Sequence, residues 1–151
     1  MYLDPDNHAV KLCAQGMDIE GKPEEASKLF TQAWNEAIND FERFIAAHYI
    51  ARHQKSVADK LKRDETALHL AQEIKNNDVS GAFPSLYLNI AKCYEDLGDA
   101  ENAEKNYQSA LSFTDKLSDD GYGNMIRGGI LNGIKRLKGS CTKVVEGIKN
   151  N

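Results

Sequence analysis

With 151 residues, 41% hydrophobic and 28% charged, and a formal net charge of −4, the chain has the length and composition of one ordinary globular domain. It has no apolar run long enough for a membrane helix, and it opens on MYLDPDN, which has neither the basic region nor the apolar core of a secretory signal. Cys13, Cys93 and Cys141 form an odd, widely spaced set that suits neither a disulfide framework nor a zinc site; they read as reduced core residues, and the expected location is cytoplasmic.

Proline is scarce and strand-forming runs are absent, so an all-α chain is expected. Asp6 or Asn7 can cap a first helix through about Glu20, with Val10, Cys13, Ala14 and Met17 along one face. Gly21-Lys22-Pro23 breaks it, and Pro23 suits the first turn of a second helix whose positive end meets Glu24 and Glu25. Ala26, Phe30, Ala33, Trp34 and Ala37 follow. Asn39-Asp40 is a break and a cap, after which Phe41, Phe44, Ile45, His48 and Tyr49 run along a third helix to about Gln54. Ser56 with Asp59 makes a capping-box-like start for a fourth, through Leu61, Ala67, Leu68, Ala71 and Ile74 to about Asn76.

A polar loop over Asn76–Gly81 leads to the most regular stretch, Pro84–Leu117. Tyr87, Ile90, Ala91, Tyr94 and Leu97 recur at helical spacing, Gly98 can stop that helix in the left-handed conformation, and Asp99 can cap the next, which carries Ala100, Ala103, Tyr107, Ala110 and Leu111. After a break at Ser118–Gly121, a last helix at about 122–138 shows Ile126, Ile130, Ile134 and Leu137. Its Gly128, Gly129 and Gly133 cost about 1 kcal/mol each against alanine, which implies close packing on a neighbour. Residues 139–151 read as a frayed tail in which Val144, Val145 and Ile148 can form a short helical turn.

An internal repeat runs through this pattern. Ala14, Gly21, Ala26, Phe30 and Ala33 recur as Ala91, Gly98, Ala103, Tyr107 and Ala110, each 77 residues later. Placing Ala67 beside Ala26 and Ala103 gives steps of 41 and 36 residues, so the middle hairpin is expected to carry about two extra helical turns. Its close-contact position on the first helix falls on Ala46, Ala47 or Ala51.

The set Ala91, Tyr94, Gly98, Ala103, Tyr107 and Ala110 resembles a tetratricopeptide repeat, departing from it in lacking a large residue near Tyr87 and a closing proline where Asp115 stands. The resemblance implies an all-α, tetratricopeptide-like α-solenoid of about seven helices in one domain. Three helical hairpins would lie at about 6–39, 40–77 and 82–117, with a C-terminal capping helix at about 122–138 and a tail at 139–151. It also implies a concave surface, lined by the first helix of each hairpin, that binds a protein or peptide segment.

Charge is spread unevenly. Arg52–Arg63 and Lys135–Lys149 each hold five Lys/Arg against one acid, net +4, while the remainder is net −12. The basic zones can steer an anionic partner, but a solvated helix face and a basic tail is the plainer reading. The acidic remainder and the lack of interleaved aromatics argue against nucleic acid.

The motifs of catalysis are missing: no Gly-rich phosphate loop, no serine at a strand-to-helix elbow, no CxxC and no HExxH. No catalytic residue, metal ligand or cofactor is therefore expected. The one dense polar group is Ala46–His53. At helical spacing His48 and Arg52 share a face, four residues apart, and Tyr49 and His53 share the adjacent one. Arg52 can take a carboxylate or phosphate bidentately, and His48 and Tyr49 can add hydrogen bonds or move a proton. The structural alternative is that His48 and Tyr49 are core residues and Arg52 pairs with a nearby acid.

The segments AAHYIARHQ (46–54), FPSLYLN (83–89) and DGYGNMIRGGI (120–130) resemble those of a group of small bacterial tetratricopeptide-like proteins of unassigned function, over most of residues 4–137. Some of that group carry an rRNA adenine methyltransferase label. A methyl-donor site needs a Gly-rich strand-to-helix turn in a parallel sheet, and no residues here supply one.

The expected function is a non-enzymatic scaffold that binds a protein or peptide partner on its concave surface through Lys11, Gln15, His48, Tyr49, Arg52, Asn89 and Lys92, with Arg127 nearby. A small-ligand or catalytic pocket around His48, Tyr49, Arg52 and Arg127 is the first alternative. Nucleic-acid binding through the basic zones and self-association as a homo-oligomer are the others; no membrane partner is expected.

Overall fold

The computed structural model describes residues 3–75 and 79–148, with side chains as far as Gly139. The described residues form seven α-helices and no strand: α1 (His8–Asp18), α2 (Pro23–Glu36), α3 (Asp40–Ala51), α4 (Val57–Glu73), α5 (Phe83–Asp96), α6 (Ala100–Ser112) and α7 (Gly121–Ile148). Short 3-10 turns at Ser80–Ala82 and Thr114–Lys116 precede α5 and α7. Helices α1–α2, α3–α4 and α5–α6 pair as hairpins, each hairpin leans on the next, and α7 packs on α5 and α6.

The helix starts follow from local chemistry. Asn7 Oδ1 accepts from the Val10 amide at 3.1 Å, Asn39 Oδ1 from Glu42 at 2.9 Å, and Asp99 Oδ1 from Asn102 at 3.1 Å. Ser56 Oγ accepts from the Asp59 amide at 3.0 Å and donates to the Asp59 carboxylate at 2.7 Å. Pro23 stands in the first turn of α2, and Gly98 ends α5 with φ +80°. Buried Glu42 then ties two hairpins together, accepting from Asn7 Nδ2 and from the Ile38 amide, both at 2.8 Å.

The alanines expected at the crossings are buried. Ala26, Ala67 and Ala103 are inaccessible at equivalent places in the second helix of each hairpin. In α3, Ala46, Ala47 and Ala51 are all buried, so the contact is shared among the three candidates.

Several boundaries and faces differ from the sequence reading. Helices α1, α3 and α4 end two to three residues before the expected Glu20, Gln54 and Asn76, where the chain turns. The extra length of the middle hairpin lies where it is expected: α4 starts ten residues before Ala67, whereas α2 and α6 start three before Ala26 and Ala103, a difference of about two turns. Helix α7 continues to Ile148, ten residues beyond Lys138, because no proline follows Pro84 to interrupt it. Leu97, Ala100 and Leu111 are exposed, since they lie at the α5–α6 turn or on the face of α6 turned from its neighbours. Residues 76–78 and 149–151 and the Cys141 side chain lie outside the described set.

Ala14 is also exposed, and Gly16 takes its expected role. A Cβ on Gly16 would stand 2.3 Å from the Phe30 ring, so α1 is turned about its axis relative to α5. The glycines of α7 divide in the same terms. A Cβ on Gly133 would stand 2.2 Å from the buried Tyr107 ring, and one on Gly129 would stand 3.0 Å from Leu88, whereas Gly128 faces open space.

Helix α7 is held by a charged group as well. Arg136 grips Glu95 bidentately, Nε to Oε1 at 2.7 Å and Nη2 to Oε2 at 2.8 Å. The Tyr107 hydroxyl donates to Glu95 Oε2 at 2.5 Å and accepts from Arg136 at 3.2 Å. The Arg136 and Tyr107 hydrogen bonds hold the Glu95 carboxyl down to about 2.

The two outer glycines of α7 therefore respond oppositely to alanine. Gly133→Ala is expected to lose up to about 2 kcal/mol, because overpacking against a fixed ring (about 1–3 kcal/mol) outweighs the helix-propensity gain of about 1 kcal/mol. Gly128→Ala keeps the gain alone; urea unfolding of the pair against the wild type checks both. The Glu95 linkage has a definite sign. Its carboxyl is depressed below the ordinary 4.5, so its contribution is present above that pH and is lost as pH falls towards about 2. Arg136→Gln is expected to cost about 1–2 kcal/mol at pH 7, with the difference from wild type shrinking steadily in urea titrations between pH 4.5 and 2.

Candidate functional site

The first helices of the hairpins, α1, α3 and α5, do not close against one another along their whole shared face. A half-enclosed cleft of about 470 Å³ remains, bounded by Met17 from α1, Phe44, Ile45, His48 and Tyr49 from α3, Arg52 just after it, and Gly81, Ala82 and Ser85 at the start of α5. Leu3 closes one side, and Lys116, Leu117, Ser118 and Tyr122, leading into α7, close the other.

The floor is apolar and aromatic. Phe44 is buried beside His48, ring centroids 6.4 Å apart, and the His48 and Tyr49 rings meet edge to face at 5.5 Å. Tyr49 lies nearly parallel to buried Phe30, centroids 5.5 Å apart. His53 also packs on Phe30, tilted, with centroids 5.2 Å apart. This stacking fixes α3 over α2 and sets the direction in which His48 and Tyr49 point.

The polar groups are poised rather than satisfied. His48 Nδ1 is buried with no hydrogen-bond partner among the described residues. Burial first, then the nearby positive charges of Arg52 and Lys60, push its imidazolium down to about 4, so the ring is neutral at pH 7. Burial raises the Tyr49 phenol, which stays protonated. Arg52 donates to Glu20 at 3.1 Å and reaches the Met17 sulfur at 3.4 Å. Glu20 is thus the nearby acid of the structural alternative, and His53 Nε2 stands 3.6 Å from the same carboxylate, beyond hydrogen-bond distance.

Of the residues expected on the concave surface, His48, Tyr49 and Arg52 meet at the cleft. Arg127 stands behind its wall. It donates to the Leu117 carbonyl at 3.0 Å and the Ser118 carbonyl at 3.2 Å, and pairs with Asp119 at 3.2 Å, which pins the segment leading into α7. Lys11 pairs with Asp6 at 3.2 Å, Lys92 pairs with Asp96 one turn on, and Gln15 is exposed; none of these lines the cleft. Asn89 turns to α4, where it acts on the buried carboxylate of Asp64 and helps to hold its pKa down against burial. Lys116, Ser85 and the start of α7 were missed from sequence. The signal for Tyr122 was an aromatic residue between Gly121 and Gly123 at a helix start: a Cβ on Gly123 would stand 2.0 Å from the Ser118 carbonyl oxygen, so glycine lets the chain fold back and carry Tyr122 to the cleft.

The Ser85 hydroxyl donates to the Ala82 carbonyl at 2.9 Å, and burial pushes the Cys13 thiol up to about 12, away from the thiolate a nucleophile needs. Among the described residues no group of three or more His, Cys, Asp or Glu side chains is placed to hold a metal ion. No helix among them is long and apolar enough to cross a membrane.

The neutrality of His48 can be observed directly. In an NMR titration its ring resonances are expected to move with a midpoint near 4, well below the ordinary 6.5. Because the unfolded ring protonates first, stability is expected to fall by up to about 3 kcal/mol as pH drops from 6.5 towards 4.

The tetratricopeptide repeat model matches residues 84–116, the span of α5, α6 and the turn after them. No curated protein and no solved structure gives a significant match to the chain. With this match, the seven helices are those of an all-α, tetratricopeptide-like fold. Repeats of that kind generally mediate protein–protein interaction.

Proposed function

We propose that this chain is a non-enzymatic scaffold that receives a segment of a protein partner on its concave helical face. The observation that carries the reading is the unfilled cleft among α1, α3 and α5, to which His48, Tyr49 and Arg52 all contribute. The usual role of the matched repeat supports a protein partner. Around the cleft, exposed Lys11, Gln15 and Lys92 extend the candidate surface along the first helices of the first and third hairpins.

Photo-crosslinking tests the face. A benzoylphenylalanine placed at Gln15 or Lys92 is expected to capture a protein from native extract, while one at Thr31, exposed on α2, is expected to capture none. Capture from Thr31 alone would move the binding face to the second helices and sink the proposal.

A further inference from the structure

We infer that the cleft receives a bulky aromatic side chain of the partner segment, and that an acidic residue next to it is held by Arg52 at the rim. The inference rests on the peptide-binding reading above and adds what the peptide must carry. The floor supplies the first half. Phe44, His48 and Tyr49 present ring faces and edges to an unfilled space of about 470 Å³, which is in the range of ligand pockets and large enough for an indole or phenyl ring.

The rim supplies the second half. Arg52 gives one guanidinium nitrogen to Glu20 and another to the Met17 sulfur, and its Nε–H takes part in neither contact. Lys116 lines the cleft too, its ammonium paired with Asp115 at 3.1 Å. The Tyr49 and Tyr122 hydroxyls make no hydrogen bond among the described residues, and each is a donor. A carboxylate, which only accepts, answers these donors better than an amide, which has N–H groups of its own to place. The pair with Glu20 limits the freedom of the Arg52 guanidinium, so less of it is lost when the ligand arrives.

The probe is a fluorescein-labelled hexapeptide with Phe-Glu at its centre and glycine elsewhere, amidated at its C-terminus so that no terminal carboxylate is offered. A Glu-Phe version covers the reverse order. Binding is read by fluorescence polarisation against the full chain. The expected result is saturable binding of at least one order. It should weaken tenfold or more when the probe phenylalanine becomes alanine, when its glutamate becomes glutamine, or when the protein carries Arg52→Gln. Tyr122→Ala, at a half-exposed residue, is expected to weaken binding several-fold, and thermal unfolding of both variants within a few degrees of the wild type would show that the fold is intact. Failure of both probes to bind the wild type overturns the inference, as does binding indifferent to Arg52→Gln. Binding of free 3-phenylpropionate without binding of either peptide also overturns it and assigns the cleft to a small acid. Crosslinking from Gln15 or Lys92 to a partner that lacks an aromatic-acidic pair would leave the scaffold reading standing while this inference falls.

Discussion

The arrangement depends on two aromatic rings, each seated on a glycine. Phe30 and Tyr107 occupy the same position of the repeated unit, 77 residues apart, and both are inaccessible to solvent. Phe30 fills the space over Gly16 in the first helix of its own hairpin; Tyr107 fills the space over Gly133 in α7. One sequence position therefore does two jobs. At the N-terminal end the ring locks a hairpin internally and offers its other faces to Tyr49 and His53. At the C-terminal end it recruits a seventh helix, and its hydroxyl joins the Glu95–Arg136 pair that holds that helix in place. Close-packed interiors leave no room for a Cβ at either contact, which is why glycine is tolerated inside helices where it otherwise costs stability.

Both contacts feed the cleft. Phe30 sets the tilt of Tyr49 and so the direction of the His48 edge. Tyr107 sets the seat of α7, whose first turn and the segment before it form part of the cleft's wall. Arg127 completes that wall by holding two backbone carbonyls, a service that leaves its charge mostly committed to structure. The cleft is thus bounded in part by the segment that leads into the helix closing the stack.

A second buried polar group shows the contrasting case. Asp64 is inaccessible on α4, and burial raises its carboxyl even though Lys60, Asn89 and Cys93 all offer partners to it. Its Oδ1 remains without a partner among the described residues. The group faces the α4–α5 seam, not the cleft, and it draws Asn89 inward with it. Lys60, one of the five cations of the first basic zone, is committed to this carboxylate. Arg52, another, gives one guanidinium nitrogen to Glu20 while it also lines the cleft. The formal +4 of this zone is therefore partly offset by carboxylates brought beside it in the fold.

Local chemistry in the chain determined the elements. Capping residues Asn7, Asn39, Ser56 and Asp99, the left-handed Gly98 and the 77-residue recurrence all act over a few residues or by strict spacing, and each was legible before any fold was known. The clustering of His48, Tyr49 and Arg52 was legible for the same reason, since one helix brings them together. What only the tertiary structure decided was rotation and approach. Whether Ala14 or Gly16 faces the ring depends on how α1 turns against α2, and periodicity permits either. Whether Asn89 faces the groove or Asp64 depends on a neighbour 25 residues away. The wall from Lys116 to Tyr122 exists because Gly133 fits under Tyr107 and seats α7 there, a contact between side-chain shapes that no spacing within either helix encodes.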